Sequence, residues 1–211
     1  MTISRADTVI VVGFLILVQG TGALAGFWLP AIAPEVGQSL GLSPSLIAYP
    51  VLILYIFAMI SSLMAGGIVR RFGAWRSSQA ALILIGVSHL MFMNGSLLFL
   101  ALGSIILGGA YGLLTPPASH LLSKIVTPTN RNLIFSIRFT GVPLGGILAG
   151  LLAPSVALEY GWRESMTVTI IISLVIAISM QPFRKRWDRD KLKSAKVFRN
   201  PISDICLVWK L

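Results

Sequence analysis

Gly66-Gly67-Ile68-Val69-Arg70-Arg71-Phe72-Gly73-Ala74-Trp75-Arg76 decides how this chain folds. Two long apolar segments precede it and four follow it. It gathers three arginines where the chain, up to residue 123, otherwise carries only Arg5, Asp7 and Glu35 as formal charges. Such a stretch is expected to be a loop in water between two membrane helices, and its charge marks which side that water is on.

Composition points the same way. The 211 residues are 55% hydrophobic and 11% charged, with a mean hydropathy of +0.86. Soluble domains are about one quarter charged, so the class is a polytopic membrane protein in contact with lipid. A spanning helix takes roughly 20 residues, so about six helices use most of the length. The first apolar run is too long for a signal peptide and has no small-residue cleavage site after it, so it is expected to be a retained helix. The single Cys206 excludes an internal disulfide and a Cys-only metal site.

The segments are expected at 8–33, 46–69, 78–93, 97–122, 133–158 and 165–180. Residues 34–45 form an uncharged loop between the first two. The expected fold is therefore an all-α bundle of six transmembrane helices over 1–182, followed by a basic segment at 183–211. That segment holds nine of the 17 Lys and Arg and three of the seven acids. Beside a membrane span, such a tail reads as cytoplasmic and lipid-facing, and not as a nucleic-acid arm. Lys and Arg fall in the links after segments two and four (Arg70, Arg71, Arg76; Lys124, Arg131) and after segment six. The positive-inside rule then puts those links and both termini in the cytoplasm.

An internal repeat is visible. Gly22-x-x-x-Gly26-x-x-x-Pro30 returns 86 residues later as Gly108-x-x-x-Gly112-x-x-x-Pro116. Phe72-Gly73-Ala74-Trp75-Arg76 likewise precedes segment three, as Tyr160-Gly161-Trp162-Arg163 precedes segment six. Copies three helices apart enter the membrane from opposite sides, which is the inverted-repeat design of secondary transporters.

The stretch after segment two also resembles motif A of the major facilitator superfamily, G-x-L-a-D-R-x-G-R-R. Gly66, Ile68, Arg71 and Gly73 fall on its Gly, Leu, basic and second Gly positions; Arg76 lies just beyond. Arg70 stands where the family has Asp, an acid that helps hold the cytoplasmic gate closed, so the resemblance implies an altered latch. Thr140 to Gly150 is similar to the family's glycine–proline helix five, with Gly141, Pro143, Gly145, Gly146 and Gly150 as its packing motif. The Arg that the family carries in helix four is missing from residues 101–108. The resemblance covers essentially the whole chain but only the amino-terminal half of a typical member. It implies alternating-access transport of a small solute in the inner membrane. The work is shared with a missing carboxyl-terminal half or a second copy, and the chain alone is expected to be a truncated form without the second half that the mechanism needs.

Arg138 is the foremost candidate substrate residue, because a cation inside a span is costly and faces a cavity or a partner. It would anchor an organic anion; the alternative is a stem reaching back to the headgroups. Gln19, Tyr111 and Thr115 lie on segments one and four, which line the central path in the family. Gln19 has two readings, a substrate contact and a bond to a neighbouring helix. Tyr55 reads as aromatic packing, and Trp28, Trp75 and Trp162 as interface anchors. His89 and His120 lack a second ligand at i+3 or i+4, so no metal is expected. No catalytic constellation or cofactor loop occurs, so the chain is not read as an enzyme. The rival reading is a non-transporting six-helix assembly partner or scaffold.

Overall fold

The computed structural model describes residues 4–192 together with 194, 195 and 197; the expectations for Cys206 and for 201–211 lie outside them. The described residues form α1 Arg5–Ala31, α2 Ala33–Leu40, α3 Ala48–Phe72, α4 Ala74–Met93, α5 Leu97–Gly112, α6 Thr115–Ile125, α7 Arg131–Phe139, α8 Gly141–Tyr160, α9 Trp162–Ser179 and α10 Arg184–Trp187. No strand occurs among them.

Among the described residues, five stretches are long and apolar enough to cross a membrane: Arg5–Ala31, Ser45–Phe72, Leu97–Ile125, Arg131–Tyr160 and Trp162–Trp187. The expected sixth, α4, is more polar. Its Ser77, Ser78, Gln79, Ser88 and His89 are all buried, and each hydrogen-bonds inside the bundle. Gln79 Nε2, for example, donates to the Ala177 carbonyl at 2.8 Å. Apolar side chains such as Val9, Leu158 and Ile178 stand 71%, 77% and 71% exposed, a surface that lipid and not water covers.

The helices pack in pairs: α1 on α8, α3 on α5, α4 on α9. In lipid no hydrophobic force drives helices together, so close approach at small residues and interhelical hydrogen bonds must do it. A Cβ on Gly108 would press on the Leu54 carbonyl and Phe57, and one on Gly112 on the Ala58 carbonyl and Ser61. Ser61 Oγ donates to the Gly109 carbonyl at 2.7 Å. Gly141 and Gly145 press likewise on α1 backbone at Ile16 and Gly20. Gly22 and Gly26 work differently from their counterparts Gly108 and Gly112, for they face the side chains of Leu114 and Tyr111.

Three local expectations change. Residues 33–40, read as loop, form α2: Pro34 opens it and Gly41, at φ +64°, closes it. The arginine stretch is no loop either. Arg70 and Arg71 belong to the last turn of α3, Arg76 to the first turn of α4, and Gly73 alone makes the corner at φ +96°. The three tryptophans are not interface anchors. Trp28 and Trp75 are fully buried and Trp162 nearly so. Trp28 Nε1 donates to Ser165 Oγ at 3.2 Å and Trp75 Nε1 to the Met180 carbonyl at 2.7 Å. Replacing Trp75 by phenylalanine should cost about 1 kcal/mol for the orphaned carbonyl, read as a lower unfolding midpoint in detergent.

Candidate functional site

Segments four and five are each broken, and proline explains both breaks. Pro116 has no N–H for the Gly112 carbonyl, and Pro143 has none for the Phe139 carbonyl. The chain leaves the α-helix at Leu113–Leu114, between α5 and α6, and at Thr140, between α7 and α8. Ser62 Oγ of α3 donates to the stranded Gly112 carbonyl at 3.3 Å.

Arg138 lies between these two breaks. Its guanidinium is fully buried. Nη2 donates to Gln19 Oε1 of α1 at 2.7 Å and to Thr115 Oγ1, the first residue of α6, at 3.4 Å. The ring of Phe139 lies 4.7 Å below the cation. Nε and Nη1 are buried without a partner, and among the described residues no carboxylate pairs with it. Three of the four sequence candidates thus meet, and the Arg138 stem does not reach back to a surface. Gln19 makes the interhelical bond that was one of its two readings. Tyr111 stands apart from the cluster, edge-on to Tyr55 with ring centroids 6.0 Å apart, which also gives Tyr55 the packing role expected of it.

A buried guanidinium with two unsatisfied nitrogens is costly, and a carboxylate that displaces Gln19 from Nη2 takes up the planar fork of Nη2 with Nε, two parallel N–H donors. Discontinuous spanning helices add to this, because the start of each half-helix carries partial positive charge. The site is therefore suited to a carboxylate or phosphate oxygen pair.

At the arginine-rich end, Gly66 faces open space and Arg70, Arg71 and Arg76 are exposed. Arg71 lies over the Phe72 ring at 5.6 Å. The corner is held by a residue that sequence reasoning missed. Asp188, just after α10, accepts from the backbone N–H of Trp75 at 2.8 Å and of Arg76 at 3.0 Å. It caps α4, which Phe72-Gly73 cannot cap for itself. Any Cβ at Gly73 would run into the Asp188 carboxyl. Burial pushes the Asp188 carboxyl up from its ordinary value, and the two amide donors offset only part of that. The signal was present: two acids, Asp188 and Asp190, interrupt an otherwise basic run. Asp188→Ala should cost about 1 kcal/mol for the lost cap and expose the amides of Trp75 and Arg76 to faster hydrogen exchange.

Asp190 continues this strap. It pairs with His120 Nε2 and Lys124 Nζ of α6, both at 2.7 Å. Partial burial works to raise its carboxyl, but Lys124 and His120 outweigh it and hold it below the ordinary value. A depressed carboxyl stabilises the fold above the usual carboxylate range and ceases to as pH falls through its folded value. The protection factor against hydrogen exchange at Leu192, whose N–H donates to the Arg70 carbonyl at 2.8 Å, should therefore fall in acid and stay constant between neutral and weakly alkaline pH.

Gly141 and Gly145 of the glycine–proline motif serve the α1–α8 contact. Gly146 only borders Phe27, and Gly150 has nothing within 4 Å; this second ridge is left open. Pro143 sits in the first turn of α8.

The family model of the Major Facilitator Superfamily matches residues 13–210. A hexuronate transporter of Bacillus subtilis (strain 168) is 27% identical over 93 residues, 42% of this chain and 22% of that protein. A gallate transporter of Pseudomonas putida is 28% identical over 160 residues, 73% of this chain and 34% of that protein. Among solved structures, a point mutant of the peptide transporter POT superposes with a TM-score of 0.67 at 20% identity, over 96% of this chain and 43% of that one. The POT family transporter PepTSo gives 0.61 at 14% identity, over 84% and 38%. The chain thus spans about a third or less of the curated relatives and about two fifths of these structures.

Proposed function

The chain belongs to the Major Facilitator Superfamily, is a multi-pass membrane protein and a transporter relative and not an enzyme, and from that premise we propose that it carries a small organic carboxylate by alternating access. The observation that carries this reading is Arg138, buried at two helix breaks with Nε and Nη1 unpaired. Hexuronate and gallate, named for two relatives, are both carboxylates. In this reading the substrate enters past the exposed Thr115 and takes the place of Gln19 on the guanidinium. Transport draws on a gradient.

We further infer six spans, with α4 as the sixth: the span-length stretches Ser45–Phe72 and Leu97–Ile125 adjoin its two ends, and its 20 residues rise about 30 Å. Two observations support inverted repeats. The pairings α1–α8 and α3–α5 exchange under the repeat while α4–α9 maps on itself. Gly73 and Gly161 share one conformation, φ +96° with ψ 151° and 152°. The arginine-rich end is taken as cytoplasmic, with both termini there and the bilayer an inner membrane. Residues 1–182 form the bundle and 183–211 the central linker of a half permease, whose partner is a carboxyl-terminal half or a second copy.

Uptake of radiolabelled galacturonate and gallate into vesicles tests the reading, with the chain alone and with a full-length form. Accumulation of either acid, abolished by Arg138→Gln, is expected. A full-length form that moves neutral solutes but neither acid would refute it.

A further inference from the structure

A cavity of about 470 Å³ opens at the elbow between α6 and α7, at the arginine-rich end of the bundle. Small-molecule sites occupy ~300–1,000 Å³. Ser119, Ser123, Thr127, Arg131 and Phe135 line it. It is separate from the Arg138 cluster, none of whose members is among its walls.

The two sites are joined by sequence spacing. Thr115, Ser119 and Ser123 follow at four-residue steps on α6, so their hydroxyls share one face. Arg131, Phe135 and Arg138 follow at steps of four and three on the antiparallel α7 and share another. Thr115 meets Arg138 at one end of this pair of stripes, and Ser123 shares the cavity with Arg131 at the other. The two guanidinium positions are about 10 Å apart along the helix.

Charge bookkeeping at this corner singles out Arg131. Asp190 occupies Lys124 and His120, the neighbouring basic side chains of α6. Arg131 is exposed, lies over the Phe135 ring at 5.8 Å, and among the described residues has no carboxylate within ion-pair distance. A solvent-open cavity with hydroxyl walls and one uncompensated guanidinium attracts anions and concentrates them.

We propose that this elbow is a second carboxylate site, a staging post from which the transported acid is passed along the Ser119 and Thr115 hydroxyls to Arg138; the Ser123 hydroxyl is spent on the His120 carbonyl at 2.7 Å. This rests on the carboxylate-transport reading, and it adds a binding site and a route. The hydroxyls hand the acid on without holding it, because they carry no charge to balance it, whereas each guanidinium does.

The test is equilibrium binding of radiolabelled gallate and galacturonate to the full chain in phosphatidylcholine nanodiscs. Arg131→Gln is expected to halve the label bound at saturation, and the part lost is the part that high salt removes from the unaltered chain. Arg138→Gln is expected to remove the other half. Unchanged saturation in Arg131→Gln overturns the staging site while leaving Arg138 as the anchor. Loss of binding in Arg131→Gln together with none in Arg138→Gln keeps the elbow site and removes the transport role given to Arg138. If phosphatidylglycerol added to the nanodiscs displaces the Arg131-dependent label, the cavity is a lipid-headgroup site and the proposal fails. No binding of either acid to the unaltered chain defeats both.

Discussion

Arg138→Met should abolish carboxylate binding at the buried site and raise the stability of the fold. Binding falls because a substrate carboxylate loses the only fully buried cation among the described residues; truncating one partner of such a pair costs ~2–5 kcal/mol, or roughly 30- to 4,000-fold in affinity. Stability rises because the unliganded bundle now holds a guanidinium with two unsatisfied nitrogens. Exchanging buried charge for an apolar side chain of similar length is often stabilising, by about 1–4 kcal/mol. The variant keeps contact with Phe139 and gives up only the bonds to Gln19 and Thr115. Titration of gallate and an unfolding midpoint in detergent check the two halves. A variant that unfolds more easily yet binds normally would make Arg138 a structural strut. Arg138→Lys should fall between, since an ammonium keeps the charge but not the planar fork.

The second large effect is expected at Gly145. A valine there meets the backbone of α1, with the Leu24 amide nitrogen and Ala23 Cβ each 2.9 Å from the first added carbon and the Gly20 carbonyl nearer still. Backbone cannot step aside as a side chain can. The α1–α8 pair must separate, at a cost of about 3 kcal/mol or more. Because Arg138 reaches Gln19 across this same contact, carboxylate binding should weaken as well. Gly150→Ala is the control: nothing lies within 4 Å of it, and an alanine on a helix surface should change stability by less than about 1 kcal/mol. Reversible unfolding in bicelles measures both, and equal effects would show that the space at Gly145 is not what matters.

Much of the site was legible before any coordinates. Arg138 stood out because an ionisable residue inside an apolar run demands a reason. Gln19 and Thr115 stood out as polar groups on the two segments that line the path in similar proteins. That Tyr111 turns away to Tyr55 was not legible. Proline and glycine positions were read as packing marks, whereas Pro116 and Pro143 break their helices. Asp188 was not legible because a helix cap is ordinarily supplied by residues beside the helix start, and this one arrives from 112 or more residues away. The tryptophans misled for a related reason: indole is equally at home at a headgroup layer and in a core that offers its N–H an acceptor.

By itself the sequence determined the membrane class, the apolar character of the long segments and the family. Those follow from composition, run length and local spacing, which the bilayer reads directly. Only the tertiary structure decided that Arg138 donates a hydrogen bond to Gln19, 119 residues away, that the first glycine ridge of α8 is filled and the second open, and that Asp188 closes the α3–α4 corner. In water, an apolar stripe tells a helix which way to face. In lipid every face is apolar, so orientation is set by close fits and buried polar bonds between distant segments, and those exist only once the bundle is assembled.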